Sequence, residues 1–292
     1  MLRGLIRKSV FLGSAVVAMF YLSSGEVFSQ SLEQEATVEE NIPTEEGLTV
    51  KFVSTDLEGA AEALANAKSY TVNLQIQDRS FPNGGGSVPE VKVSAIHNGE
   101  NIFFGIQWSD ATKNDRAIKH EQFRDAVGLM FPLGIVKISP ETPFSPRMGD
   151  RGKTVNIWHW KADWERDLLA DGGYEHMEDQ YPNMFTDFDF DPNPIPDNKA
   201  AHESAELMSG GYSAGSLLSQ ARGRSVEDLN AVGFGTLTAQ EHQDVDGTGA
   251  WIDGTWDVIV YRPLSTPDAN DVQFVPGKST FFNMAVWNGE DG

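Results

Sequence analysis

The chain has 292 residues, a formal net charge of −21 and no cysteine. That length holds one large domain or two small ones, and the apolar content is enough for a full core. Lack of cysteine removes disulfides, iron–sulfur ligation, thiolate zinc sites, cysteine nucleophiles and covalent c-type haem attachment. The acidic balance argues against nucleic acid or an anionic membrane as partner.

Residues 1–29 read as an export signal. Arg3, Arg7 and Lys8 form its basic end, Val10 to Leu22 its apolar stretch, and Val27-Phe28-Ser29 a cleavage site. The alternative is a retained membrane anchor, although the apolar stretch is short for a span. Cleavage removes the three basic residues and Glu26, moving the charge from −21 to −23. No later stretch is long and apolar enough to span. The mature chain is therefore expected off the membrane, in the periplasm or an equivalent extracytoplasmic compartment.

Residues 30–47 form an acidic, flexible leader. Leu48 to Ser54 alternates as a strand, Asp56 to Ala67 reads as a short helix, and Tyr70 to Ile76 alternates again. Phe81 to Gly86 is a loop. Val91 to Ile96 and Ile102 to Trp108 flank Asn98-Gly99, a hairpin signal. Residues 109–124 suggest a helical excursion.

Asp125 to Pro132 then reads as a buried strand that stops at proline. Alternation puts Val127, Leu129 and Phe131 on one face and Ala126, Gly128 and Met130 on the other. The second face carries two residues with almost no side chain and then a thioether. It would admit a planar macrocycle; equally, Met130 could be filling a gap in an ordinary core. Residues 133–150 read as a loop.

Thr154 to Lys161 is the next strand, with Trp158 and Trp160 on one face and Val155, Ile157, His159 and Lys161 on the other. Residues 165–228 read as a long insertion with little strand character. Within it Asp187 to Pro192 lacks the glycine and closing glutamate of a calcium loop, and Ala201 to Met208 suggests a helix. Strands resume at Val232 to Ala239, at a hairpin from Ala250 to Tyr261 around Asp253-Gly254, and at Phe281 to Trp287.

About nine strands with hairpin turns and no alternating helices predict a mainly β chain, an antiparallel β-sandwich with helical and loop insertions over residues 48–292. His97, His120, His159, His176, His202 and His242 are not spaced as a metal pair. No phosphate loop, nucleophile elbow or zinc-protease helix is present. One reading left open is an exported carbohydrate- or protein-binding module that uses Trp251 and Trp256 as stacking platforms.

Four segments taken together resemble a known family. They are Asp125 to Pro132, Val155 to Trp164, Asp253-Gly254-Thr255-Trp256 with Tyr261-Arg262-Pro263-Leu264, and Met284 to Gly289. In that order they look like the haem b-binding gamma subunits of the type II dimethyl sulfoxide reductase group. That group includes ethylbenzene dehydrogenase and the selenate, chlorate and nitrite-oxidising molybdoenzymes. The resemblance implies a non-catalytic electron-transfer subunit: a β-sandwich that holds one non-covalent haem b between a methionine and a lysine. It implies an iron–sulfur beta subunit and a molybdopterin alpha subunit as partners, with a soluble carrier such as a c-type cytochrome beyond them. The nitrite oxidoreductase branch is the nearest arrangement. Met130 matches the family methionine. Lys161 is the first choice for the lysine, ahead of Lys278 and then His159. Ala126, Gly128, Trp158 and Trp160 would surround the ring, and residues 165–228 would face the partner subunits. A haem-free structural subunit of the same assembly is the remaining alternative.

Overall fold

The structure, a computed structural model, describes residues 18–23, 47–76, 86–134, 148–150, 152–169, 216 and 222–292. The calcium-loop reading at 187–192, the helix at 201–208, the loop at 81–85 and most of the insertion at 165–228 lie outside the described residues.

Twelve strands and two helices follow one another in the described chain. They are β1 (Ala18–Ser23), β2 (Gly47–Phe52), α1 (Ala60–Ala65), β3 (Tyr70–Asn73), β4 (Glu90–His97), β5 (Asn101–Ser109), β6 (Ala126–Pro132), β7 (Val155–Lys161), α2 (Ala162–Leu169), β8 (Val226–Ala231), β9 (Thr238–Ala239), β10 (Asp246–Ile252), β11 (Thr255–Pro263) and β12 (Ser279–Trp287). Their hydrogen-bonded order is β10-β11-β5-β4-β2-β1-β12-β6-β7-β8-β9, with β3 on β4. One layer is the sheet around β11, β5 and β4. The second is β12, β6, β7, β8 and β9. The main core lies between them, drawing Phe104, Trp108 and Trp256 from the first layer and Val127, Leu129, Phe131, Trp158 and Trp160 from the second. The chain is a β-sandwich.

Most pairings are antiparallel, as hairpin turns dictate. At Asp253-Gly254 both φ angles are positive, +48° and +81°, the backbone that a tight two-residue hairpin needs. Two pairings are parallel, β1 with β2 and β2 with β4. The second follows from the crossover through α1 and β3, because a parallel neighbour needs a long connection. β1 lies inside the stretch read as an export signal and sits between β2 and β12.

The described structure differs from expectation in three more places. Residues 110–125 contain turns and no helix. The strand expected at 232–239 lies earlier, as β8, and only Thr238–Ala239 of that span is strand. β8 begins at Val226, inside the stretch read as insertion. Its Glu-Asp-Leu-Asn sequence hid it, since these polar side chains are buried by pairing rather than by being apolar. α2 follows β7 without a loop and was not foreseen.

Candidate functional site

The outer face of the second layer, turned away from the sandwich core, carries the candidate residues. β6 and β7 pair Ala126 with Lys161, Gly128 with His159 and Met130 with Ile157. β7 and β8 pair His159 with Glu227 and Ile157 with Leu229. Ala126, Gly128, Met130, His159 and Lys161 thus share one face with Glu227 and Leu229. Met130 belongs to an apolar cluster on that face with Val155, Ile157, Leu229 and Ala231.

Trp158 and Trp160 take the opposite face and are sealed in the sandwich core. They were expected to surround a ring held by Met130. A strand's alternation puts them behind the sheet from it, and they cannot line the same surface. Trp256, expected as a surface platform, is also buried in the core, and the Trp251 indole donates to the Asp110 carbonyl at 3.0 Å. Trp256 is therefore no free stacking surface, and Trp251 is half-buried against the core.

Nor is the face over Gly128 an open slot. A Cβ there would come within 3.3 Å of the Trp287 indole. Trp287, 48 % exposed, also lies against His159, with ring centroids 4.8 Å apart and planes tilted by 40°. Glycine at 128 makes room for tryptophan from β12. Lys278, the second-choice lysine, is exposed in the turn before β12, where its amide bonds the Val275 carbonyl.

A hollow of about 670 Å³ opens beside this face, lined by Arg124, His159, Lys161, Glu227, Leu229 and Gln240 among others. Its size suits a cofactor. Lys161 is only 2 % exposed. Its ammonium meets the Glu227 carboxylate and sits 3.8 Å from the centre of the Trp164 ring. Burial pulls its pKa below the usual lysine value, and Glu227 pulls it back up. Burial, with Lys161 and Arg124 nearby, holds the His159 imidazole neutral. His159 Nε2 is buried without a partner among the described residues. Arg124 bonds Asp163 at 2.7 Å.

Lys161 and Met130 lie four residues apart along the paired strands, roughly 13 Å at about 3.3 Å per residue. Both rise from one surface. To meet at one iron they must lean toward each other over the Gly128–His159 row, with Lys161 released from Glu227 and Trp287 moved aside. Within those terms the donor set fits: a soft thioether in an apolar cluster, an amine kept from water, and space next to the amine.

One residue quoted without a role proves central. Asp125 is fully buried. Its carboxylate accepts N–H bonds from Asn114 at 2.7 Å, Gly289 at 2.9 Å and the Trp256 indole at 2.9 Å. Its backbone carbonyl accepts the Ala162 amide at 3.0 Å. All four of the segments singled out in the sequence therefore meet at Asp125. The signal was in view: an aspartate at the mouth of an apolar strand needs donors from elsewhere. Glu227, Arg124 and Trp287 carried no such mark.

The ethylbenzene dehydrogenase family profile matches residues 61–292. The chain is 31 % identical to the chlorate reductase subunit gamma of Ideonella dechloratans over 71 % of this chain and 60 % of that protein. It is 22 % identical to a putative respiratory nitrate reductase heme subunit of Haloferax mediterranei over 78 % of this chain and 60 % of that one. The chain thus spans about 60 % of the length of these curated relatives.

Proposed function

The chain belongs to the ethylbenzene dehydrogenase family, and from that premise we propose that it is a non-catalytic electron-transfer subunit carrying one haem b. The relatives' names support the reading, one a heme subunit and the other the gamma subunit of a reductase. The observation that carries it is a lysine sealed from water on the same sheet face as Met130, beside a hollow of about 670 Å³. A lysine amine binds iron only when neutral, and burial is what moves it that way. A bound haem would supply one-electron storage and release. Met130 would hold the iron by a soft sulfur that favours the ferrous state. Lys161 would supply the second bond to the iron through its neutral amine. The ring would be held without thioether bonds, because the chain has no cysteine.

The assembly we propose pairs this chain with an iron–sulfur beta subunit and a molybdopterin alpha subunit, which holds the substrate chemistry. A soluble carrier such as a c-type cytochrome takes up or delivers the electron. The nitrite oxidoreductase branch is the proposed setting, outside the cytoplasm after cleavage at Ser29, which removes β1 from between β2 and β12. Among the described residues no helix is long and apolar enough to cross a membrane.

The test is an absorption scan of the protein produced with haem available. A Soret band that shifts on reduction supports the reading; a folded, colourless protein that takes up no haem rejects it. Purification of the native complex with metal analysis tests the partners.

A further inference from the structure

Behind the candidate face, on the inner side of β8, lies a sealed group of charges that the proposed electron transfer does not use. Asp228 and Arg262 are fully buried and Asp271 nearly so. The Arg262 guanidinium lies 3.3 Å from Asp271 and stacks over Trp158 at 4.9 Å. Asp228 accepts from Asn156 Nδ2 at 2.6 Å and from Gln240 Nε2 at 2.8 Å, both at Oδ1. The same Gln240 amide donates to Asp271 Oδ1 at 3.1 Å.

Two facts point to a missing proton. First, one guanidinium faces two carboxylates, all three sealed from solvent, so the group is neutral only with one proton added. The other surroundings do not change the count. Asn156, Trp158, Gln240 and Gln243 are uncharged. Asp244 acts on Arg262 from the connection between β9 and β10 and is half-buried. Glu227, next along β8, faces the other way and pairs with Lys161. Second, Asp228 Oδ2 and Gln240 Oε1 are both buried with no partner among the described residues. A carboxylic acid and a primary amide form a cyclic pair through one N–H···O and one O–H···O bond. Here the N–H···O half is present and two bare oxygens remain for the other.

We propose that Asp228 holds a proton at Oδ2 near neutral pH and that this proton is exchanged in step with the electron, making the chain a proton-coupled carrier. Loss of one electron from the bound group to a one-electron carrier protein would leave the face more positive; Asp228 Oδ2–H would then break and the proton would leave to water. Reduction returns both. Gln240 touches Asp228 on one side and lines the hollow on the other, so it connects the buried acid to the open face. Burial and the nearby Asp271 raise the Asp228 pKa to about 7, in keeping with exchange at neutral pH. The coupling rests on the haem reading above; the proton itself does not.

Two measurements separate them. Infrared difference spectra of the haem-free protein between pH 5.5 and 8.5 should show a carboxylic acid band lost on the alkaline side. The component with its midpoint at about 7 should be absent from Asp228→Asn, leaving that of Asp125 at about 6. In Asp271→Asn one carboxylate faces one guanidinium, so the Asp228 component should be lost already at pH 7. In the haem-loaded protein, the midpoint potential should fall as pH rises through 7 in the wild type and stay flatter in Asp228→Asn. Absence of the Asp228 component overturns the proposal. That component with the same pH profile of potential in both proteins overturns the coupling. Failure of the wild type to take up haem overturns the coupling together with the haem reading, and the infrared band still decides whether the proton is there.

Discussion

The Asp125 carboxylate and the Trp256 indole, 131 residues apart in sequence, are joined by a 2.9 Å hydrogen bond inside the core. The same carboxylate holds Gly289, just past the end of β12, and Asn114. Asp125 therefore ties the first layer, through β11, to the strand that carries Met130. Replacing it with asparagine leaves one carbonyl oxygen where two oxygens now accept three N–H groups. Asp125→Asn should lower stability by about 2–4 kcal/mol, read as the urea midpoint. An unchanged midpoint would mean the contact does not hold the layers.

The sandwich is closed tightly where β10 crosses Trp160. A Cβ on Gly249 would lie 2.3 Å from the indole, with no space to retreat because Trp160 is sealed between the layers. Gly249→Ala should cost more than about 3 kcal/mol. Gly223, with nothing within 4 Å, is the control, and Gly223→Ala should be close to neutral. Equal effects would contradict the packing.

Much of this frame is legible in the residues. The hairpins at Asn98-Gly99 and Asp253-Gly254 declare themselves by turn chemistry, and alternation assigns both faces of β6 and β7 correctly. What is not legible depends on partners distant in sequence. β8 looks polar because Asp228 and Glu227 are buried only by virtue of Arg262 and Lys161, which come from other strands. The small Ala126-Gly128 face looks open because nothing local says that Trp287 covers it. Trp158 and Trp160 sit beside the candidate residues in sequence and behind the sheet from them in space.

Stability should depend on pH in a definite direction. Burial pushes Asp125 up to about 6 and Asp228 up to about 7. Such raised carboxyl values favour the fold in acid, below their unfolded value of 3.8. That advantage is lost as pH climbs through about 6 and 7. His159 acts oppositely, mostly below its unfolded value of 6.5 and fading within about one pH unit above it, and Asp291, whose value is lowered, acts mainly below 3.8. The lowered value of Lys161 makes it act in the alkaline direction. From pH 6.5 to 8 the wild type should lose on the order of 1 kcal/mol. Asp228→Asn should lose less; an identical slope would mean Asp228 does not titrate there.

The Lys161–Glu227 pair is buried, so removing one partner strands the other. Lys161→Met should destabilise by roughly 3–5 kcal/mol, and adding Glu227→Gln should recover part of that loss. Additive effects in the double-mutant cycle would mean the two groups do not interact.

The central claim is that Met130 supplies sulfur to a haem iron, and Met130→Leu tests it with little change in core volume. The decisive measurement is the absorption spectrum and midpoint potential of the haem-loaded variant beside the wild type. The account predicts that the variant folds and takes up haem with an altered reduced spectrum and a lower potential. A variant that matches the wild type in both would contradict it.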